Sequence, residues 1–193
     1  MQKTNLLNFI SRYHLGGNCE AVKINMDATG VHCELIDEDQ TVVGKVNWKT
    51  TPFANGEIGI NHTGGLVKML SAVGDNIDIN VRDSQGKNYA MEIKEGSTKL
   101  TFMLADTSVI PNVPTINQEP AYEVEIAIDA DFTSKFIKAK NALPDSKNYA
   151  VQVKNGVIKF IINYSTINSD NVTFEVGTTT SDLDTICFSA DKL

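Results

Sequence analysis

The stretch GEIGINHTGGLVKMLSAVGDNIDINV, residues 56–81, decides how the rest of the chain is read. It opens with a short apolar strand carrying Ile58 and Ile60, then passes through Asn61, His62 and Thr63 into a helix. Leu66, Met69, Leu70 and Val73 stand at i, i+3, i+4 and i+7, the spacing that gives a helix one apolar side. Gly74 is expected to close the helix in the C′ position, and Ile77, Ile79 and Val81 then alternate as a half-buried strand. The outer helix face offers Lys68, Ser71 and small residues, so this β-α-β unit carries no catalytic side chain.

The same grammar recurs on both sides. Upstream, Leu6, Leu7, Ile10 and Tyr13 predict a helix over about 3–13, with Asn5, Asn8 and Arg12 opposite and Gly16-Gly17 as its stop. CEAVKINM, GVHCELID and QTVVGKVNW follow as three strands, separated by turns at 28–30 and 37–39. Thr51, Pro52 and Phe53 cross into the opening stretch. Downstream of it, strands near 76–82, 88–94 and 98–104 are joined by hairpin turns at 83–86 and 94–97.

TSVIPNVPTINQEP, residues 107–120, holds three of the five prolines and has no periodicity, which reads as a connector between domains. The unit then restarts. YEVEIAI (122–128) is expected as a strand, and Asp129 or Asp131 as the cap of a helix running to about Leu143. Phe132, Phe136, Ala139 and Leu143 form its inner face. YAVQV, VIKFIINY and VTFEV are the next strands, with Asn155-Gly156 a strong two-residue hairpin signal. A fourth unit begins at 185–188, and residues 190–193 look like the start of its helix, where the sequence stops. The expected class is α+β, with repeated helix-plus-antiparallel-sheet units in two similar domains. Residues 1–106 make an N-terminal domain of two units and 107–120 the connector. Residues 121–193 are expected to make a C-terminal domain of one complete unit whose fourth unit is cut off, either by truncation, the favoured reading, or because that unit has been dispensed with.

Charge is unevenly placed. The formal net charge is −7, yet no Asp or Glu occurs in 1–19, 58–74 or 132–144. Across those roughly fifty residues the overall frequency, 24 acids in 193, would place about six. The same windows hold Lys3, Arg12, Lys68, Lys135, Lys138 and Lys140. Opposite their apolar stripes, the three helices would share a cationic surface that attracts phosphates despite the negative total. With no stacking aromatics or base-reading arginines there, contact would be with backbone and indifferent to sequence.

Enzyme chemistry has little to stand on. His14, His32 and His62 have no neighbour at metal-ligand spacing, and no cofactor or metal is expected. Cys19, Cys33 and Cys187 are odd in number, with Cys33 and Cys187 read as buried small hydrophobes in strands. Cys33 beside His32 is a weak nucleophile cue, rejected because Cys19 and Cys33 both lie in strands. Asp37, Glu38 and Asp39 read as a polar turn, and Gly64-Gly65 fits no phosphate-loop pattern. No signal peptide or membrane-length apolar window appears, and a reducing cytoplasm is the expected compartment.

The residues quoted above, with STKLTFMLADTSVIPNVP (97–114), resemble the DNA sliding clamps of tailed phages of the T-even type, distant relatives of PCNA. The resemblance runs from the N-terminal helix to the start of the fourth unit. It implies a homotrimeric ring around duplex DNA that tethers a DNA polymerase, is opened by an ATP-driven clamp loader and catalyses nothing, in a bacterial or phage-infected cytoplasm. By position, Lys3, Arg12, Lys68, Lys135, Lys138 and Lys140 would face the DNA. Val109, Ile110, Pro111 and Val113 match where partners insert an apolar peptide, or else pin the connector to its own domain. Strands 98–104 and 171–177 of neighbouring subunits would close the ring. The alternative is a non-enzymatic interaction protein of this fold that does not encircle DNA.

Overall fold

In the computed structural model, residues 1–49, 56–115 and 121–190 are described, and the chain divides into two compact units, 1–116 and 117–193. The crossing at 51–53, the connector's end at 116–120 and the helix start at 191–193 lie outside the described residues.

The first unit opens with α1 (Lys3–His14), which buries Leu6, Phe9, Ile10 and Tyr13. Leu7 is only half-buried. Phe9 takes its place because its ring stacks on Trp48 (centroids 5.6 Å apart) and meets Tyr13 edge-on at 5.5 Å. The chain stops helically where Leu15, Gly16 and Gly17 all take positive φ. Strands β1 (Val22–Asp27), β2 (Gly30–Ile36), β3 (Val43–Trp48) and β4 (Gly56–Ile60) form an antiparallel sheet in the order β3-β2-β1-β4. Between β2 and β3, the buried Asp37 carboxylate accepts the backbone N–H groups of Thr41 (2.7 Å) and Val42 (2.8 Å), so the acidic triplet is a closed turn.

Helix α2 (Thr63–Leu70) and the meander β5 (Asp78–Ser84), β6 (Lys87–Glu95) and β7 (Thr98–Met103) complete this unit. Leu66, Leu70, Val73, Ile77, Met91, Ile93 and Phe102 close with the first sheet around one core. Gln85-Gly86 turns the β5–β6 hairpin with positive φ at both residues. The helix ends three residues earlier than its apolar spacing implies, loosening into i→i+3 bonds from Ala72 to Met69 and from Val73 to Leu70. Gly74 is not a left-handed C′ residue. The Glu95 carboxylate sits against it: Gly74 N donates to Glu95 Oε2 at 2.6 Å, and a Cβ would displace that carboxylate, lying 2.0 Å from Oε1.

The second unit holds α3 (Ala130–Ala142) and strands β8 (Asn148–Lys154), β9 (Val157–Ile162), β10 (Val172–Thr178) and β11 (Leu183–Ser189), in the order β10-β9-β8-β11. Asp129 caps α3, accepting Phe132 N at 2.7 Å. Phe132, Phe136, Tyr149 and Phe160 form an aromatic cluster beneath the helix. Asn155-Gly156 turns β8 into β9, again with both φ positive.

The two four-stranded sheets share one strand order, and their registers match over part of their length, the second being interrupted by bulges at 175–177 and 183–186. On β4, Ile58 and Ile60 face Ile24 and Val22; on β11, Ile186 and Phe188 face Val151 and Tyr149 at the same steps from the first hairpin. Their environments differ. Ile58 and Ile60 are 1% exposed beneath α2 and the meander, whereas Ile186 and Phe188 are 44% and 42% exposed. Cys187, which alternates to the opposite face, is exposed too, contrary to its apolar strand context, because β11 is an edge strand of its sheet among the described residues.

Residues 122–128 also depart from expectation. Val124 and Ile126 lean on the second core, but the segment is no strand, because no strand among the described residues takes its backbone groups. In the first unit the matching residues do find partners. Met1 N donates to Ile77 O (2.6 Å), Ile77 N to Met1 O (2.9 Å), and Gln2 bridges Asn76 just before β5.

Candidate nucleic-acid interface

The three helices place the six sequence-derived cations in distinct settings. Arg12 is on the exposed side of α1, beside a hollow of about 140 Å³ lined by Asn5, Asn8, Phe9, Asn47 and Trp48. Lys68 is exposed on α2, which packs against α1 within the same unit. On α3, Lys138 is exposed. Among the described residues, the side chains of Arg12, Lys68 and Lys138 make no ion pair or hydrogen bond, though Ser71 Oγ donates to the Lys68 carbonyl at 2.6 Å.

The other three are engaged. Lys3 Nζ donates to Val73 O, tying α1 to the end of α2. Lys140 Nζ donates to Ala190 O at 2.7 Å, tying α3 to the end of β11. Lys135 pairs with Asp131 one turn earlier (2.6 Å), and both side chains are mostly solvent-exposed. Such surface pairs contribute at most about 1 kcal/mol, so Lys135 can exchange that partner for a phosphate at little cost. The acid-free window 132–144 therefore begins one residue after an acid that its helix uses.

The connector residues divide similarly. Ile110 is 4% exposed, packed near Gly59, while Val109 is 68% exposed; Pro111 is exposed and Val113 half-buried. The segment is fastened by side chains on either side. Asp106 accepts Lys87 Nζ (2.8 Å) and Ser108 N (2.9 Å), and Lys23 Nζ donates to Asn112 Oδ1 at 2.9 Å. The Lys87 hydrogen bond, then those from Ser108, hold the Asp106 carboxyl far below the usual carboxylate range. Ala105 N donates to Gly59 O at 2.9 Å, which seats the chain against β4. Next to it opens a cleft of about 590 Å³, lined by Glu57, Val81, Tyr89, Leu104, Asp106 and Thr107 among others.

Strands β7 and β10, the two sequence-derived ring-closing candidates, are both sheet edges. An edge strand presents unpaired backbone groups that a further strand can take up.

The histidines hold one arrangement that linear spacing does not reveal. Glu20, on the loop before β1, reaches His14 Nε2 at 2.9 Å, stands 3.5 Å from His62 Nδ1 and accepts Gly64 N at 2.8 Å. His14 and Glu20 are six residues apart, but His62 arrives from 42 residues further on, a contact created only by the fold. His32 hydrogen-bonds Thr29 Oγ1 (2.8 Å) and Asn47 Oδ1 (2.9 Å) on the surface of the β1–β3 sheet. Burial pushes the Cys33 thiol up to about 12, the opposite of what a nucleophile needs. Among the described residues, no group of three or more His, Cys, Asp or Glu side chains is placed to hold a metal ion, and no helix is long and apolar enough to cross a membrane.

No protein-family model and no curated protein sequence matches this chain. Solved structures do. PCNA from A. fulgidus, solved with the C-terminal region of FEN-1 bound, superposes with a TM-score of 0.59 at 14% identity, over 95% of this chain and 76% of that one. The DNA polymerase III subunit beta of Pseudomonas aeruginosa gives 0.62 at 14% identity, over 99% of this chain and 53% of its own length. The DnaN sliding clamp of Bartonella birtlesii gives 0.58 at 17% identity, over 99% and 52%. This chain thus spans three quarters of the PCNA chain and about half of the two beta subunits. The fold is that of the sliding clamps.

Proposed function

We propose that this chain is a DNA sliding clamp of the T-even phage type: a non-enzymatic processivity factor that assembles as a homotrimeric ring, encircles duplex DNA and tethers a DNA polymerase. The observation that carries the reading is the sliding-clamp fold combined with exposed cations on all three helices. Arg12, Lys68 and Lys138 are the primary phosphate contacts, Lys135 a secondary one, and Lys3 and Lys140 serve mainly to fasten their helices. Long, solvated side chains suit sliding, since tight or base-specific bonds would create stopping points. A clamp loader opens the ring. Ile110 anchors the connector, leaving Val109 as the apolar group offered to an incoming partner peptide, with Pro111 and Val113 beside it.

Retention on bead-linked circular duplex, with a clamp loader and ATP supplied, tests this directly. The clamp stays on the circle and is released when the circle is cut once. Replacing Lys68 and Lys138 together by Glu lowers retention at least tenfold and flattens its salt dependence, by about 0.9 in logarithmic slope for each phosphate no longer neutralised. Equal retention on circular and linear DNA, or indifference to the double reversal, would sink the reading.

A further inference from the structure

The His14–Glu20–His62 arrangement is built rather than incidental. Glu20 sits where the C-terminal end of α1 meets the N-terminus of α2, and its backbone O accepts both Thr63 N (3.2 Å) and Thr63 Oγ1 (2.8 Å). Both helix glycines lie against these side chains, which a Cβ would push aside. A Cβ on Gly64 would lie 2.9 Å from Glu20 Oε1, and one on Gly65 would lie 2.3 Å from His62 Cδ2. Gly64-Gly65, which fits no phosphate loop, is the landing place of a carboxylate and an imidazole.

The fold does not demand this acid. Glu20 stands two residues before Val22, the partner of Ile60; the matching residue in the second unit, two before Tyr149, is Lys147. Lys147 O accepts Ala190 N just past β11, so the loop before the first strand makes a comparable bond there beside a residue of the opposite charge.

We propose that Glu20, His14 and His62 form a proton-operated charge switch at the α1–α2 junction, which strengthens the first unit's hold on a phosphate backbone as pH falls. The inference rests on the DNA-clamp reading for its ligand. Partial burial pulls the Glu20 carboxyl upward, but hydrogen bonds from His14 and Gly64 and the two imidazoles outweigh this, and it is held below its ordinary range. It therefore stays ionised beside two side chains that are each able to carry a proton. With both rings neutral the trio carries one negative charge; with both protonated it carries one positive charge. The other titratable groups facing the site are Tyr13 beneath it and Cys19 beside it, both held neutral by burial, with Asp37 and Glu38 beyond Cys19. A change of two charges thus falls at the ends of the helices that carry Arg12 and Lys68, where local field rather than net charge governs phosphate attraction.

The test uses the full chain and a labelled mixed-sequence duplex, titrated by fluorescence anisotropy at pH 8.0 and 5.5 over a range of salt, with heparin-column elution read in parallel. Wild type is expected to bind several-fold tighter at pH 5.5, with a salt slope steeper by about one phosphate contact. H14Q/H62Q loses most of that difference, and E20Q binds tighter than wild type at pH 8.0. H62Q alone, at a side chain 69% exposed, keeps the native melting curve and loses part of the response. A double variant that retains the wild-type pH response, or an E20Q protein no tighter at pH 8.0, overturns the switch. Absence of binding to this linear duplex in every variant at either pH is what a ring that slips off open ends would show, and it leaves the clamp reading to the circular-DNA test. Heparin elution then decides the switch: pH dependence abolished in H14Q/H62Q supports it, and pH-independent elution of wild type rejects it.

Discussion

Cys19 and Cys33 lie 1% exposed in the first core, where burial raises both thiols, while Cys187 faces solvent on the outermost strand of the second sheet. A thiol is attacked as its thiolate and only where reagent can reach it. An aromatic disulfide reagent at pH 8 is therefore expected to titrate one thiol per native chain rapidly and the other two only on unfolding, with Cys187→Ser removing the rapid phase. Rapid labelling of Cys33 in the native protein would contradict this packing. The apolar run around Cys187 shows in the sequence, but whether a further layer covers a strand depends on what packs across the sheet. For the same reason the sequence shows His14, Glu20 and His62 only as separate residues, while Lys68 and Lys138, whose exposure follows from helical phase alone, are legible as outward-facing cations.

At the level of elements, local signals survive folding best. Asp129 begins α3, and Gln85-Gly86 and Asn155-Gly156 turn their hairpins, because each acts through its own backbone within a few residues. Residues 122–128 have a strand's alternation but no strand pairing among the described residues, since a strand needs a neighbour that its own sequence does not encode. Gly59 shows how closely the connector's root is fitted. A Cβ there would lie 2.6 Å from Ala105 O, a backbone atom that cannot swing aside. Gly59→Ala is expected to cost about 1–3 kcal/mol by forcing Ala105 off β4. At about 2–4 °C per kcal/mol for a chain of this length, the melting temperature should fall by several degrees. Differential scanning calorimetry would show it, and an unchanged melt would mean that Ala105 does not lie against β4.

For the whole molecule, the closed ring proposed above predicts a mass. Light scattering after size exclusion should give three times the 21.1 kDa of one chain, with the trimer share rising with concentration. A monomer across the accessible concentration range would rule out closure through the β7 and β10 edges.

The strand order shared by the two four-stranded sheets also makes them interchangeable parts. Ile58 and Ile60 on β4 answer step for step to Ile186 and Phe188 on β11, yet among the described residues only the first pair lies under a helix and a meander. That layer is continuous in sequence, from the turn after β4 through β7. A copy of residues 61–103 transplanted behind Ser189 would meet strands of the same order, and of the same register over the last residues of β11, so this chain carries within its own first half a template for resurfacing its second.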